Sequence, residues 1–304
     1  MNAAGLQRLL RYRGYGLSVA SALPIGDLAA DSQVRSAPDL IVRVDRLARL
    51  DESAPVSHGI RFVAAGERFG FEAPGAGRFL VIGDSEIVVD PAPGATPRWL
   101  EAHLSNVALP VILYRLGRLV LHASCAAKGG AAYAFAGVSG VGKSTLAAHL
   151  EERGCDVLAD DMCVIEIGAG GAVVLPGPTR MKLWPDTLAG LGREAAEQTP
   201  VETSAKLFEP LRPALTRPVP LRALYLLEPA LYDAKRLTGA AAFDAMNEQV
   251  YRPELPRLLG IADAHMARMA AALRQAVCLA YPWRDQTLTL GAELDRLHAH
   301  MEAL

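Results

Sequence analysis

The sequence is poor in features that would each assign it to a particular class of protein. Only 4 cysteines occur among 304 residues, and Cys125, Cys155, Cys163 and Cys278 are scattered without a C-x-x-C pair. A disulfide framework is denser, and a structural zinc site has more closely spaced ligands, so neither is expected. We predict reduced, buried thiols. The amino-terminal residues lack the uninterrupted apolar stretch of a secretory signal, which favours a cytoplasmic location.

Neither an excess of charge nor a long apolar run is present. The 31 Lys and Arg residues nearly balance the 33 Asp and Glu residues, for a net charge of −2. A general nucleic-acid-binding protein would carry a basic excess. No apolar run approaches the roughly 18 uncharged residues that a membrane-spanning helix requires. With 51% hydrophobic residues, the composition is that of a globular protein, and neither nucleic acid nor membrane is expected as a partner.

The pattern of elements predicts two regions. At roughly 100–200 residues per domain, the chain has room for one large domain or two ordinary ones. Between residues 40 and 90, the short extended runs LIVRV, IRFVAA, RFGFEA, RFLVIG and EIVVD are separated by turn residues, which is typical of a β-meander or small antiparallel sheet. Farther along, strands and helices alternate, which indicates an α/β domain. We therefore predict a β-rich amino-terminal region over residues 1–100 and an α/β domain over residues 101–304.

Local patterns predict further elements. The spacing of Leu6, Leu9 and Leu10 favours a short amphipathic helix near the amino terminus. Apolar residues recur at helical spacing over residues 97–115, where Pro110 should kink or divide the helix. The proline-rich stretch between residues 199 and 220 is predicted to be a long loop.

The clearest motif is GVSGVGKS over Gly137–Ser144, which matches G-x-x-x-x-G-K-[ST] in full. It lies between a predicted strand, AAYAFA, and a predicted helix, STLAAHL. Its backbone N–H groups can turn onto an anion, and the helix amino terminus adds partial positive charge. The Lys143 side chain can reach the β- and γ-phosphates of a nucleoside triphosphate, and the Ser144 hydroxyl can bind Mg²⁺. The predicted nucleotide contacts are Gly137, Ser139, Gly140, Val141, Gly142, Lys143, Ser144 and Thr145.

Two adjacent aspartates are the next candidates. Asp160 and Asp161 follow the apolar stretch 157–159, at the expected carboxyl end of a strand, where α/β sheets bind their ligands. One carboxylate there can hold Mg²⁺ together with Ser144, and the other can accept the proton of an attacking hydroxyl. The sequence leaves open which aspartate has which role. His122 ends the run LVLHA, and the pattern alone also fits a hydrogen-bonded core histidine.

The string HASCAAKGGAAYAFAGVSGVGKSTLAAHLEERGCDVLADD resembles the catalytic core of the HPr kinase/phosphorylase family. That family joins a histidine-bearing strand, a G-x-S-G-V-G-K-S loop and an ADD strand end at similar spacing. The resemblance covers about Leu119–Glu166 and implies an α/β P-loop kinase domain similar in fold to phosphoenolpyruvate carboxykinase. It also implies a site for ATP and Mg²⁺, with His122 near the phosphates. Asp160 and Asp161 would serve metal binding and proton abstraction from a serine hydroxyl.

The chain departs from the bacterial HPr kinases after the aspartates. Their L-E-I-R-G stretch is missing, and LPGPTRMKLWPDTLAGLG stands in its place. This segment and the later ETSAKLF are similar to HPr-kinase-related proteins of lasso-peptide and other modified-peptide pathways, which implies a precursor-peptide serine as acceptor. Arg180 and Lys182 then become candidate catalytic residues and Lys206 a candidate phosphate contact, since a nearby cation offsets charge in the transition state. Trp184 is expected to pack the same loop.

Three functions remain open at this stage. The first is a Mg²⁺-dependent kinase that transfers phosphate from ATP, or from another nucleoside triphosphate or polyphosphate donor, to a serine of a peptide or small protein. The second is a small-metabolite kinase on the same fold. The third is a regulatory nucleotide-binding module without catalysis, which would lack a base facing the acceptor. The β-rich region could dock a leader peptide, mediate homo-oligomerisation or cap the kinase sheet.

Overall fold

The computed structural model describes residues 9–32, 36–57, 59–194, 205–212, 216–229, 231–284 and 288–304. The chain divides into two compact units. The first unit comprises Met1–Gly117 with Glu254–Ala262, and the second comprises Arg118–Pro253 with Asp263–Leu304. Among the described residues, no helix has both the length and the apolar character needed to cross a bilayer.

A nine-stranded sheet, in the order β3-β1-β2-β4-β9-β8-β7-β6-β5, dominates the described part of the first unit. Its strands are β1 (Leu10–Gly14), β2 (Leu17–Ser21), β3 (Ala29–Ala30), β4 (Leu40–Val44), β5 (Val56–Ser57), β6 (Ile60–Ala65), β7 (Arg68–Ala73), β8 (Gly77–Ile82) and β9 (Glu86–Pro91). The five strands predicted between residues 40 and 90 are all present. The last four form an antiparallel meander. However, β4 pairs in parallel with both β2 and β9, so the sheet is mixed rather than antiparallel throughout.

The start of the described chain is a strand, and the helix predicted there is wrong over Leu10–Gly14. This segment pairs with Leu17–Ser21 through a turn at Tyr15 and Gly16, where φ is 54° and 72°. Positive φ at both central residues matches the twist of a two-residue hairpin, so the turn favours strand pairing. Tyr12 is buried, Arg13 is exposed and Gly14 is buried, which is the alternation of a strand. Leu6 lies outside the described residues.

The predicted helix over residues 97–115 is present, with a local widening instead of a break. It consists of α1 (Pro97–His103), a π-helical turn over Leu104–Ala108 and α2 (Leu109–Arg115). The Leu109 N–H donates to the Leu104 carbonyl, five residues back. Pro110 lacks an N–H and its ring crowds the preceding turn, and a π-helical turn absorbs this mismatch without ending the helix.

This helix belongs to the first unit because it packs on the strands before it. The Trp99 indole N–H donates to the Pro74 carbonyl at 3.1 Å, and the His103 ring lies 5.9 Å from the Phe79 ring. The first segment of this compact unit consequently extends to Gly117.

The second unit is built on a mixed sheet with flanking helices. Its elements, with one helix that belongs to the first unit, are β10 (Leu119–Leu121), β11 (Ala123–Lys128), β12 (Ala131–Ala136), α3 (Lys143–Glu152), β13 (Asp156–Ala159), β14 (Cys163–Gly168), β15 (Gly171–Leu175), β16 (Arg180–Leu183), α4 (Pro185–Gly190), β17 (Leu207–Pro210), β18 (Val219–Glu228), β19 (Lys235–Leu237), α5 (Gly239–Asn247), α6 (Glu254–Leu258, of the first unit), α7 (Ala262–Leu273), β20 (Val277–Pro282) and α8 (Leu290–Ala303). The described strands follow the order β10-β14-β15-β18-β12-β11-β13, with β20 beside β18 and β16 paired separately with β17.

The strand directions bring several carboxyl ends to one edge of this sheet. Strands β12, β18 and β20 are mutually parallel neighbours. Strand β11 is antiparallel to both β12 and β13. Since two reversals cancel, β13 runs in the same direction as β12. The residues that follow β12, β13, β18 and β20 therefore lie along the same edge, together with the start of β11.

Helix α3 is fixed against the sheet on two sides. Leu146 and Leu150 pack in one buried cluster with Tyr225 of β18 and Leu297 of α8. On another side, Ala147 and Ala148 join a second buried cluster that includes Met181, Leu183 and Leu188. The amino terminus of α3 is consequently held in a defined place at the edge where the strands end.

The four cysteines are buried and free of disulfides, as predicted. Burial raises the pKa of the Cys278 thiol to about 11, so the thiol form is favoured at neutral pH. A thiolate, not a thiol, is the reactive species. These residues therefore act as small apolar side chains of the core.

Gly77 offers a test of the packing in the first unit. Its φ is 127°, and a Cβ placed there would come 2.3 Å from the Asp90 carbonyl oxygen. We expect Gly77→Ala to combine backbone strain with overpacking, each about 1–3 kcal/mol. Gly83→Ala is the control, because its φ of 55° is also positive but nothing lies within 4 Å of its Cβ position; it should cost only about 1–2 kcal/mol. Urea unfolding followed by circular dichroism measures the free energy of unfolding of both variants. Equal losses of stability in the two variants would contradict the prediction.

Candidate active site

The glycine-rich loop leaves the carboxyl end of β12 and enters α3, as predicted. Gly142 is the residue that precedes the helix and has a φ of 103°. A Cβ on Gly142 would lie 3.2 Å from the Trp283 Nε1 atom and 3.2 Å from the Arg284 guanidinium. Both the backbone conformation and the close approach of these side chains therefore require glycine at this position.

Lys143 is folded into the loop that precedes it. Its Nζ donates to the carbonyl oxygens of Gly137 at 2.8 Å and Val138 at 3.3 Å. Burial lowers the pKa of this ammonium group, and the Asp161 carboxylate acts in the opposite direction. A phosphate oxygen is a stronger acceptor for an ammonium group than a carbonyl is. Lys143 is thus placed to exchange loop carbonyls for the phosphates of a bound nucleotide.

Asp160 is the most connected residue of the site. Its Oδ1 accepts from the Ser124 hydroxyl at 3.1 Å, and its Oδ2 accepts from the Lys182 backbone N–H at 2.9 Å. The Ser144 hydroxyl also acts on this carboxylate and lowers its pKa. Burial, and after it the neighbouring charge of Asp161, raise the pKa of Asp160. The carboxylate therefore joins the start of β11 to the strand β16, and it lies near the start of α3.

Asp161 differs from Asp160 in its surroundings. Its carboxylate is partly exposed, with Oδ2 at 3.5 Å from the Lys182 Nζ and Oδ1 at 3.8 Å from the His122 Nε2. Burial alone would raise the pKa of Asp161, but Lys182, Lys206 and His122 together hold it below its usual value. Its φ is 63°, an uncommon conformation for a residue with a side chain. An ionised carboxylate is thus presented beside two basic side chains.

His122 lies between β10 and β11, at the same edge of the sheet. Its side chain is 43% exposed, and its ring lies edge-on to that of Tyr251 at 6.1 Å. Burial, and then the positive charge of Lys143, lower the pKa of His122. The neutral ring is therefore favoured at neutral pH. The sequence pattern also fitted a core histidine, whereas the structure places the ring next to Asp161.

The cations predicted from the GPTRMKLWP segment are distributed over β16. Lys182 contacts both aspartates, through its backbone N–H and its ammonium group. Arg180 lies two residues earlier, on the same face of the strand, and its guanidinium covers the Phe208 ring at 3.7 Å. Lys206 approaches the Trp184 ring at 5.9 Å and helps to lower the pKa of Asp161. Trp184 was expected to pack this loop, but it is 46% exposed.

The remaining predicted nucleotide contacts are distributed along the loop and the first turn of α3. Ser139 and Gly140 are exposed, while the Val141 side chain is buried in the core. Val141 can therefore meet a ligand only through its backbone. The Thr145 hydroxyl shares a hydrogen bond with Thr187 of α4 at 3.1 Å, so this side chain is turned toward the protein.

The donor set at this edge fits a magnesium ion that is completed by substrate phosphates. The described residues contain no group of three or more His, Cys, Asp or Glu side chains that could hold a metal ion alone. Mg²⁺ is usually bound through one or two carboxylates together with phosphates and water. The Ser144 hydroxyl and the Asp160 carboxylate, whose pKa that hydroxyl lowers, provide such a set, with Asp161 next to it.

Gln249 is a site residue that no sequence motif marks. Its side-chain Oε1 accepts from the Gly137 N–H at 2.9 Å, and its backbone oxygen accepts from the His122 N–H at 2.6 Å. Its neighbour Tyr251 donates its N–H to the Val120 carbonyl at 3.0 Å. The segment 249–251 thus runs along β10 and ties the first peptide of the loop to His122. Only the folded chain brings these distant segments together.

The comparisons with known proteins give little beyond this geometry. No family model matches the chain, and no curated protein matches it. Among solved structures, the chain is similar to the Hpr(Ser) kinase/phosphatase from Coxiella burnetii, with 12% sequence identity and a TM-score of 0.25. The alignment covers 50% of this chain and 92% of that chain. A TM-score this low does not establish a common fold, and the predicted link to modified-peptide pathways gains no support from these comparisons.

The role of Gln249 is testable by removing its acceptor oxygen at nearly constant length. Gln249→Met leaves the Gly137 N–H without its partner, at a cost of about 1–3 kcal/mol. We expect the dissociation constant of Mg·ATP, measured by calorimetry, to rise about tenfold, because the loop loses its fixed position. The hydrogen exchange of the Gly137 amide, followed by NMR, should become faster.

Two further variants complete this experiment. Glu248→Ala changes the exposed neighbour of Gln249. It should leave both the dissociation constant of Mg·ATP and the exchange rate of the Gly137 amide unchanged. Gln249→Glu keeps an acceptor, so the Gly137 amide should stay protected even if the added charge weakens nucleotide binding. Unaltered Mg·ATP affinity in a Gln249→Met protein whose Gly137 amide exchanges freely would show that this hydrogen bond has no part in binding.

Proposed function

We propose that the protein is a Mg²⁺-dependent kinase that transfers the γ-phosphoryl group of ATP to a serine hydroxyl of a peptide or small protein. The observation that carries this proposal is the placement of the two aspartates relative to the glycine-rich loop. Asp160 lies close enough to the loop for the Ser144 hydroxyl to lower its pKa and for its charge to act on Lys143, while Asp161 is presented next to Lys182 and His122. A nucleotide site and a candidate base thus lie at one edge of the sheet.

The donor would bind along the loop from Gly137 to Ser144. Lys143 is buried and its ammonium group points into the loop, so the phosphates meet a desolvated positive charge, which interacts more strongly than an exposed one. Ser144 and Asp160 would hold Mg²⁺, which when bound neutralises charge on the β- and γ-phosphates.

The different surroundings of the aspartates support different roles. The oxygens of Asp160 accept hydrogen bonds from Ser124 and from the Lys182 backbone, which fits a fixed position as a metal ligand. Asp161 is more exposed and remains open toward His122, so it is the better candidate for contact with the acceptor. In the transfer, the serine oxygen forms a bond to the γ-phosphorus and the bond to the β–γ bridging oxygen breaks. ADP leaves with that oxygen, and the serine proton passes to Asp161.

The cations around Asp161 support a phosphoryl-transfer role. Lys182 lies within 3.5 Å of the carboxylate and can shift toward a phosphoryl oxygen as negative charge moves during the reaction. Preorganised positive charge of this kind stabilises the transition state. Arg180 extends the same strand face and is stacked on Phe208, so it is a more distant candidate.

The surface near these cations supports the assignment of a peptide, rather than a small metabolite, as the acceptor. Trp184 is exposed and lies next to Lys206, at the end of the strand that carries Lys182. Aromatic side chains that stay exposed are enriched at protein-binding surfaces. A small metabolite would not need such a surface. The regulatory module is disfavoured by the ionised, partly exposed carboxylate of Asp161, which a nucleotide-binding switch does not require.

Lys143→Ala tests the proposed donor site. We expect phosphate transfer from γ-labelled ATP to serine-containing peptides to fall by on the order of 10²-fold or more, as when one charged stabilising group is lost. Lys128→Ala is the control, because Lys128 ends β11 at the opposite edge and pairs with Glu302. Mass mapping would identify the phosphorylated residue.

The outcomes of this assay separate the three functions. Label on a peptide serine in the wild-type protein supports the proposal, and label only on small hydroxyl compounds would replace it by a metabolite kinase. Tight Mg·ATP binding without any transfer would favour the regulatory module. Undiminished transfer by a folded Lys143→Ala protein would rule out this loop as the donor site.

The two aspartates should respond differently to replacement by asparagine. Asp160→Asn should raise the Mg²⁺ concentration needed for half-maximal activity, since an amide is a poorer ligand for this cation than a carboxylate. Asp161→Asn should bind Mg·ATP almost normally but transfer phosphate on the order of 10²-fold more slowly, at the lower end of general-base effects because the transition state is largely dissociative. Single-turnover rates across a Mg²⁺ titration measure both. Identical defects in the two variants would contradict the separate roles.

A further inference from the structure

The end of β20 lies beside the glycine-rich loop because of the parallel strand order. Strand β18 pairs in parallel with β12 on one side and with β20 on the other. In this register Ala136 is opposite Leu226, and Pro282 is opposite Glu228. Trp283 and Arg284 therefore leave the sheet at the same edge as the loop that begins at Gly137.

Both side chains converge on Gly142. The Trp283 Nε1 atom and the Arg284 Nε and Nη2 atoms each lie 3.2 Å from the Cβ position of that glycine. Arg284 is exposed, whereas Trp283 is only 2% exposed. A buried indole and an accessible guanidinium thus present N–H groups next to the residue that precedes Lys143.

The Trp283 indole N–H has no hydrogen-bond partner within the described part of the chain. A buried donor left without an acceptor costs about 1–3 kcal/mol, and such groups are rare in native structures. Tryptophan donates through this one atom only, so no other group of the side chain can compensate. The unpaired donor points to an acceptor that arrives with a ligand.

We propose that Trp283 and Arg284 form the part of the donor site that binds the diphosphate portion of the nucleotide, an inference that rests on the proposed kinase function. The two aspartates follow β13, which lies two strands from β12 on one side, and β20 lies two strands away on the other. With the γ-phosphoryl group directed toward Asp161, the leaving diphosphate faces Trp283 and Arg284. Its oxygens accept from the indole and from the guanidinium.

The chemistry of the leaving group explains why a guanidinium is placed there. Negative charge accumulates on the diphosphate as its bond to the γ-phosphorus breaks, and a fixed cation stabilises that charge. Arginine offers several N–H donors in a planar fork that matches phosphate oxygens. The shared chemistry is a diphosphate anion, whether it belongs to a nucleoside diphosphate or to inorganic pyrophosphate.

The test compares these two anions in the full-length protein. We expect Arg284→Ala to raise the dissociation constants of both Mg·ADP and Mg·pyrophosphate about tenfold or more in calorimetry, the usual effect of losing a charge-assisted hydrogen bond. Arg284→Lys keeps the charge but not the fork and should recover part of the affinity. Arg222→Ala is the matched control, because Arg222 is exposed near the start of β18, away from this edge.

Tryptophan fluorescence provides a second measurement. The chain has 3 tryptophans, and replacing Trp99 and Trp184 by phenylalanine leaves Trp283 as the reporter. Its emission should change on saturation with Mg·ADP and with Mg·pyrophosphate. Trp283→Phe keeps an aromatic ring but removes the N–H donor, and it should lower the affinity for both anions several-fold.

Each outcome bears on one proposal. If the wild-type protein binds neither anion and transfers no phosphate, the kinase function itself fails. If it binds Mg·ADP and phosphorylates an acceptor while Arg284→Ala binds both anions normally, the inference is overturned and the kinase function stands. A loss of affinity in Arg284→Ala that is confined to Mg·ADP would place Arg284 at the nucleoside and would also overturn the diphosphate assignment.

Discussion

The carboxylate of Asp160 is the interaction on which the arrangement of the site depends. It accepts hydrogen bonds from Ser124 and from the Lys182 backbone, and the Ser144 hydroxyl lowers its pKa. These partners belong to β11, α3 and β16, which are separate in sequence, so one buried group sets the distances between them. A buried carboxylate must have its hydrogen-bonding capacity satisfied to be tolerated. Loss of any one partner would therefore disturb the glycine-rich loop and the cationic strand together.

The charge around this carboxylate would suit the polyanion that we propose as the phosphate donor. Lys143, Lys182 and Lys206 surround the two aspartates, and each contributes to the pKa shifts of its neighbours. The repulsion among the three ammonium groups is only partly offset by Asp160 and Asp161. The proposed nucleotide with its Mg²⁺ would bring compensating negative charge to these side chains. The same site would hold the γ-phosphoryl group on the aspartate side and the leaving group near β20.

The sequence predicted the parts of the site that local chemistry determines. The loop motif, its flanking strand and helix, and the strand before Asp160 depend on short patterns, and the structure has these elements where they were placed. The alternation of strands and helices did not predict that β11 runs antiparallel to both of its neighbours. The ends of β12 and β13 nevertheless lie at the same edge of the sheet, because these two strands run in the same direction.

Other features could not be predicted because they depend on pairing between distant segments. Gln249 meets Gly137 across 112 positions in the sequence, and no motif marks it. Trp283 and Arg284 reach the loop only through the parallel pairing of β18 with β20. The amino-terminal helix was predicted from leucine spacing alone, whereas the turn after Gly14 favoured a hairpin. Leucine spacing over a few residues fits a helix and a strand end equally well.

The backbone at Asp161 has a φ of 63°, a left-handed conformation that costs an L-residue roughly 1–2 kcal/mol. Glycine adopts this conformation without that cost. Directed evolution that selected only for heat resistance would therefore favour glycine at position 161 and would discard the carboxylate that we propose as the base. Thermostability and turnover would be opposed at this position, as is common where function requires a locally strained backbone.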